Sequence, residues 1–294
     1  MSQISIDAKR SDFDKSFERI IQRTHSDYVT TFDDFLTFVI GSWTFNPEPN
    51  PQWRYDMEVN KLFHDCMCKM ILYVKEGIDD IGWYDAFGDF FMEVIGSNSQ
   101  SYRGQFFTPN SICNLLAQIS LPDGAEMKEP TWNVRGFGKR LICNDPTCGS
   151  GRLLLAAHAE MVSRKARPMY FIAEDIDRIC CKMTAINFML HGMFGEVVCH
   201  DTLIHPDCCE EGYVINETLY PIPALPSIRK DNDASHFMAC LLSKEMRESP
   251  ASKVESDVFT DKLSASNIPS AKTSRKPRKV IKNIPQQLSL NLFD

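Results

Sequence analysis

The sequence predicts an α/β protein in which a helical region precedes a parallel sheet, and three observations carry that expectation. As far as about residue 98, apolar residues recur at intervals of three and four, the spacing of one helix face. From Gln105 the texture changes to short β-type runs alternating with helical patterns, which is the order of βαβ units on a parallel sheet. At the first junction of strand and helix lies a turn with two glycines, Asp145-Pro-Thr-Cys-Gly-Ser-Gly151.

In the helical region, Phe13, Phe17, Ile20 and Ile21 form one apolar face, and Phe32, Phe35, Leu36, Phe38 and Val39 form the next. The stretch Asn46 to Gln52, with three prolines, interrupts the pattern. A second helical run covers Met57 to Val74, and a third covers Ile78 to Ile95, where Trp83, Phe87, Phe90, Phe91 and Val94 share one side. Their expected role is helical core. Strands are expected at Arg140 to Asn144, Met169 to Ala173 and Glu196 to Cys199, with crossover helices at Gly151 to Ser163 and Arg178 to Leu190.

After Asp201 the alternation stops. Residues 206 to 228 carry four prolines and one short β-like run, Tyr213 to Ile215, and Ser235 to Lys244 fits one helix. Residues 248 to 286 have the Ser, Lys and Pro composition of a flexible tail. The expected organisation is a helical region at 1–100, a sheet domain at 101–228 that is incomplete on its C-terminal side, and a tail at 229–294.

The chain has 294 residues, 43% of them hydrophobic, and a formal charge of −7 from 39 acidic and 32 basic side chains. Bulk charge therefore does not advertise a polyanion partner, and any nucleic-acid contact must be local. No apolar run reaches the length of about 18 residues that a membrane span needs, and the first residues lack the pattern of a secretory leader, so a soluble cytoplasmic protein is expected. Eleven cysteines, two adjacent pairs among them, fit no disulfide framework and are expected to be reduced. The cluster Cys199, His200, Asp201, His205, Cys208 and Cys209 contains no C-x2-C pair, and no metal is expected there.

The glycine turn is built for a small molecule. Gly149 and Gly151 let backbone approach a ligand closely, and the helix that follows presents free N–H groups. The Lys-Ser/Thr pair of a phosphate-binding loop and the spacing of a dinucleotide loop are both missing, which argues against a nucleoside triphosphate. The string D-P-T-C-G-S-G-R-L-L at 145–154 resembles the S-adenosylmethionine loop of adenine-specific DNA methyltransferases, most closely the modification subunits of type I restriction-modification systems.

Three further strings carry that resemblance. Arg103-Gly-Gln-Phe-Phe-Thr-Pro109 is similar to the family's G-Q-F/Y-F/Y-T-P segment, which places Phe107 and Thr108 beside the cofactor. Taken by itself, Thr108-Pro109 is a helix start, with Thr108 as cap. Ile172-Ala-Glu-Asp-Ile-Asp177 ends a strand, and its distance of twelve residues from Asn187, in a segment similar to N-M-x-L-H-G, makes Asp175 the family's ribose ligand in preference to Glu174. Glu174 and Asp177 fit solvated surface equally well, and Asp177 also fits a cap of the next helix. Cys199-His-Asp-Thr-Leu203 resembles G-D-S/T-L, whose Asp holds the cofactor's adenine, so Asp201 takes that role, with His200 where the family has Gly.

The resemblance thus implies a Rossmann-like S-adenosylmethionine-dependent methyltransferase fold, truncated at its C-terminal side. Cofactor ligands are expected at Phe107, Thr108, Asp145, Cys148, Gly149, Gly151, Asp175 and Asp201. The family's N/D-P-P-Y/F motif occurs nowhere in the chain. Its side-chain and carbonyl acceptors would hold the amino group of a flipped adenine while the aromatic ring stacks on the base. The nearest substitutes are Asn216 and Tyr220, at a different spacing.

Residues 271–282 hold six basic side chains and no acid, so Arg275, Lys276, Arg278 and Lys279 are candidate DNA phosphate contacts, with a solubilising tail as the alternative. Pro285 to Asp294 resembles the Q-L-x-L-x-L/F peptide that docks on the bacterial sliding clamp, with Gln287, Leu288, Leu290, Leu292 and Phe293 as anchors, or else a terminal segment packed on its own domain. Two functions are therefore open. One is an adenine-specific DNA methyltransferase working with a specificity or catalytic partner subunit. The other is a catalytically inactive cofactor-binding accessory protein associated with DNA or the clamp.

Overall fold

The computed structural model describes residues 3–44, 53–95, 106–121, 132–134, 138–204, 208–217 and 226–242. The helical region comprises α1 (Gln3–Thr24), α2 (Tyr28–Ser42), α3 (Met57–Ile81) and α4 (Ala86–Phe90), which continues into a π-helical turn at Phe91–Ile95. Asp27 and Asp56 start α2 and α3 as N-caps, accepting from Thr30 N and Val59 N at 2.9 Å each. The aromatic stripes read from the sequence meet in the interior: the Phe90 ring stands edge-on to Phe13 and Phe17, with centroids 4.9 and 4.8 Å away.

One expected helix is in fact two. The run from Ile78 to Ile95 is broken where Gly82 closes α3 in the left-handed region at φ +85°, and Asp85 opens α4 by accepting from Gly88 N. The Gly and Asp punctuation overrides the continuous apolar spacing.

After α5 (Asn110–Ser120) come β1 (Trp132–Val134), β2 (Gly138–Asp145), α6 (Arg152–Ser163), β3 (Met169–Asp175), α7 (Arg178–Leu190), β4 (Gly195–Cys199), β5 (Glu211–Ile215) and β6 (Ile228–Asp231). Pro109 occupies the cap position of α5, so Thr108 lies one residue outside the start expected for it. The six strands stand in chain order across one sheet. The pairs β2/β3 and β3/β4 are parallel, with Asp145 opposite Ala173 and Asp175 opposite Cys199. The other pairs, β1/β2, β4/β5 and β5/β6, are antiparallel.

Both crossovers step in the same direction along the sheet, so α6 and α7 lie on one face with the helical region behind them. Alternate residues of β3 sort the two faces. Phe171 and Ala173 join the large core under the helices, while Tyr170 and Ile172 pack with Phe237, Ala239 and Cys240 on the other side. That second face is covered by a 3₁₀ turn, Ala234–His236, and a short helical segment at 238–242, in place of the single helix expected from Ser235 to Lys244.

Helices and sheet share one apolar core, and polar contacts tie them as well. Lys182 on α7 reaches Asp33 and Thr37 on α2 at 2.6 and 3.0 Å, and Tyr84 N donates to His191 Nε2 at 3.1 Å.

A candidate cofactor cleft at the carboxyl edge of the sheet

Parallel strands bring their C-terminal ends to one edge, and the three acidic candidates arrive there for that reason. Asp145 ends β2, Asp175 ends β3, and Asp201 follows β4 by two residues. Two backbone hydrogen bonds pin the neighbouring loops to the end of β3: Cys148 N donates to Glu174 O at 2.8 Å and His200 N to Asp175 O at 3.0 Å. Thr202 Oγ1 donates to Pro146 O at 3.2 Å, joining the first loop to the third.

The two loop glycines adopt conformations that side chains resist. Gly149 has φ +55° and Gly151 φ +86°, and a Cβ at Gly149 would meet the Phe107 ring at 2.9 Å. Gly149 N donates to Asp175 Oδ2 at 2.8 Å, and Gly149 O accepts from Thr184 Oγ1 at 2.9 Å. Asp175 Oδ1 also accepts from Asp177 N at 2.9 Å, so this carboxylate shapes the loop and keeps further lone pairs for a ligand. Burial pushes its pKa up. Asp177 itself caps α7, accepting from Ile179 N at 2.8 Å.

Asp145 is fully buried. Its Oδ1 accepts from Thr147 N at 3.1 Å, whereas Oδ2 has no partner among the described residues. Burial, with smaller contributions from Asp175 and Glu174, pushes its carboxyl up to about 6. An orphaned carboxylate oxygen of this kind fits a cationic ligand group such as an α-ammonium.

Phe107 is half-buried with its ring on Gly149, and its N–H donates to Met92 Sδ at 3.3 Å. Thr108 contributes its carbonyl, 3.6 Å from Cys113 Sγ. Cys148 is buried with Sγ 3.6 Å from Thr184 Oγ1, and desolvation holds its thiol well above the usual range, so it is a packing group and not a nucleophile. Asp201 Oδ1 accepts from Leu203 N and Ile204 N at 3.0 and 2.9 Å, which makes the turn after β4. That turn does not need the family's glycine, because His200 keeps a negative φ. His200 instead turns into the sheet's second face, where Nε2 lies 2.6 Å from Glu174 Oε2 and Nδ1 lies 3.1 Å from Cys208 O. Glu174 is thereby removed from the cleft and from the surface.

Two apolar side chains escaped the sequence reading. Ile176 is 69% exposed and Leu203 90% exposed, one on the loop after β3 and the other on the loop after β4. Solvated apolar groups on two neighbouring loops that also carry the acids suit contact with a flat ring. The only available signal was position, since each follows a cleft acid by one or two residues.

Asn216 does not belong to this cleft. It follows β5 at the other end of the sheet, because Ile215 pairs with Gly195, the first residue of β4, and that strand spans about 13 Å to Cys199. Its amide is committed: Nδ2 donates to Met193 O at 2.8 Å, and Oδ1 accepts from Ser227 N at 3.1 Å. A left-handed φ of +54° marks a tight turn there. The antiparallel return of β5 moved this residue to the amino edge. Tyr220, the basic run with Arg275, Lys276, Arg278 and Lys279, and the peptide with Gln287, Leu288, Leu290, Leu292 and Phe293 lie outside the described residues.

The family model for N-6 DNA methylases matches residues 82–216, which include α4, the glycine loop and all three acids. Over this segment, which is just under half of the chain, the sequence is similar to the N-6 DNA methylases. It is 28% identical over 115 residues to the type I restriction enzyme MpnII methylase subunit of Mycoplasma pneumoniae, a match covering 37% of this chain and 18% of the relative. A type I restriction-modification methyltransferase subunit from Streptococcus thermophilus matches at 20% identity over 65% of this chain and 39% of its own, with a TM-score of 0.32. The chain thus spans less than a fifth of the curated relative's length. No helix of the described residues is long and apolar enough to cross a membrane.

Proposed function

We propose that this chain binds S-adenosylmethionine in the cleft at the carboxyl edge and serves as the cofactor-holding part of an adenine-specific DNA methylation system of the type I kind. The observation that carries this reading is the unpartnered Oδ2 of buried Asp145 beside the two positive-φ glycines. Asp145 would take the α-ammonium of the methionine end, Asp175 the ribose hydroxyls and Asp201 the adenine amino group, with Ile176 and Leu203 against the two faces of that base. Phe107 would close the methionine end over Gly149. When bound, the cofactor supplies an electrophilic methyl group.

Methyl transfer also needs acceptors that polarise the amino group of a flipped base and a ring that stacks on it. In a doubly wound sheet these would follow a parallel strand on the outer side of β2, past the point where strand order reverses. Among the described residues that edge is unpaired from Leu141 to Asp145, since β1 pairs only with Gly138 to Arg140. The base pocket therefore belongs to a partner subunit in this reading, and specificity for a DNA site comes from a partner as well. An edge left unpaired among the described residues equally favours a second reading, an accessory protein that binds the cofactor and transfers nothing, reaching DNA through the basic run or the clamp through its last residues.

A titration with S-adenosylmethionine, followed by transfer of labelled methyl to unmethylated DNA, separates these possibilities. Saturable binding without transfer by the isolated chain is expected. Transfer by the isolated chain would overturn the assignment of the base pocket to a partner, and absence of binding would overturn the cofactor site.

A further inference from the structure

Asp85, on the turn between α3 and α4, is only 1% exposed and accepts four hydrogen bonds. Oδ1 takes Gly88 N at 2.9 Å and Asn187 Nδ2 at 2.8 Å, while Oδ2 takes Ser150 Oγ and Arg152 Nε, each at 2.5 Å. Capping α4 needs only the first of these. The other donors come from the glycine loop, from the first residue of α6 and from α7, and Asn187 Nδ2 also donates to Ser150 O at 2.9 Å. Gly88 is small where it must be, because a Cβ there would overlap the Asp85 carboxylate and Ser150 Oγ.

The same carboxylate governs the opposite wall of the cleft. Arg152 is buried between Asp85 and Asp89, and its guanidinium lies 5.6 Å from the centre of the Phe107 ring that covers Gly149. A buried carboxylate is costly unless its partners are well placed, so the loop and Arg152 are held where Asp85 needs them.

We propose that Asp85 is a positioning residue for the cofactor: from the helical region it sets both the glycine loop and the Phe107 ring, and it acts on the ligand only through them. This rests on the S-adenosylmethionine reading above. A change in how α4 sits would thus be felt at the cofactor.

The test uses the full chain and two readouts, S-adenosylmethionine affinity by calorimetry and amide exchange at Gly149 and Gly151. Asp85→Asn keeps an acceptor for Gly88 N but turns an amide NH2 toward donors it must face, so a residue that merely caps α4 would tolerate it. Expected are an affinity loss of about tenfold and faster exchange at both glycines. Ser150→Ala, which spares the cap entirely, should shift both readouts in the same direction and decides the matter if Asp85→Asn does not fold. Asp56→Ala, which removes the cap of α3, should lower the melting temperature and leave affinity unchanged. Affinity within twofold of wild type together with unchanged exchange in the Asp85 and Ser150 variants would overturn the proposal. If the wild-type chain binds no cofactor, the functional reading fails, and the exchange arm alone still upholds or overturns the positioning role.

Discussion

Gly149 and Asp145 carry the cleft in different ways, and each predicts a distinct failure. Gly149 combines a positive φ with a ring at the distance where Cβ would stand, so Gly149→Val faces both backbone strain and displacement of Phe107. The substitution should abolish binding at the proposed S-adenosylmethionine site while costing about 1–2 kcal/mol of stability from the left-handed backbone. Calorimetry and a thermal melt check this, and undiminished affinity would remove the loop from the site.

Asp145 titrates near 6 in the folded chain, against an ordinary value of 3.8. Its folded pKa is raised, so the stability it contributes is present below about pH 4 and is lost as the pH rises through about 6. The ceiling on that loss is about 3 kcal/mol. Urea unfolding of the free protein between pH 4 and 7 should show it, and Asp145→Asn should flatten it. Affinity for a cationic ligand should run the other way, rising through pH 6 as the carboxylate ionises.

Among the elements, those with a strong local period were legible in the sequence: the aromatic helices, three parallel strands and two crossover helices. Direction of pairing was not. Tyr213 to Ile215 read correctly as β-type, but nothing local says that β5 runs antiparallel to β4, and this one fact moved Asn216 from the cleft to the amino edge. The four-residue strand β6 was hidden by the exposed charges of Arg229 and Lys230. In the candidate site, the two glycines were legible from their place between a strand and a helix, whereas the acids came from the family resemblance, and the structure places all three at one edge of the sheet. Asp85 was not, since its partners lie 65, 67 and 102 residues away.

The cover of the sheet's second face depends on one short segment. Phe237 is fully buried, its ring standing where a Cβ on Gly212 would fall, and Glu196 beneath the sheet accepts from Ala239 N at 2.7 Å and Tyr170 OH at 3.0 Å. Phe237→Ala should cost about 3–5 kcal/mol, the usual loss for a buried aromatic ring. Chemical denaturation measures it, and a loss below about 1 kcal/mol would mean that the segment is not part of the stable fold.

At the scale of the molecule, the question is whether the helical region is a separate unit or part of the methyltransferase-like body. Helix α7 answers it. Ten of its thirteen residues, from Ile179 to Met189, are buried on all sides. A helix buried on nearly every side needs cover on more than one face, and the sheet can supply only one side. The other side is α2 and α4, joined through Lys182 to Asp33 and through Asn187 to Asp85. Ile228 N at the start of β6 donates to Trp43 O just beyond α2, at 3.1 Å, so even the far edge of the sheet is tied to the helices. The full chain should therefore unfold in a single transition, with far- and near-ultraviolet circular dichroism coincident. A fragment beginning at residue 101 should fail to fold, because removing α2 and α4 strips the outer side of α7 and leaves Asn187 and Ser150 without their buried acceptor. Two separated transitions, or a folded fragment, would show instead that the candidate cleft can be built without the helices, and that Asp85 only decorates a loop already in place.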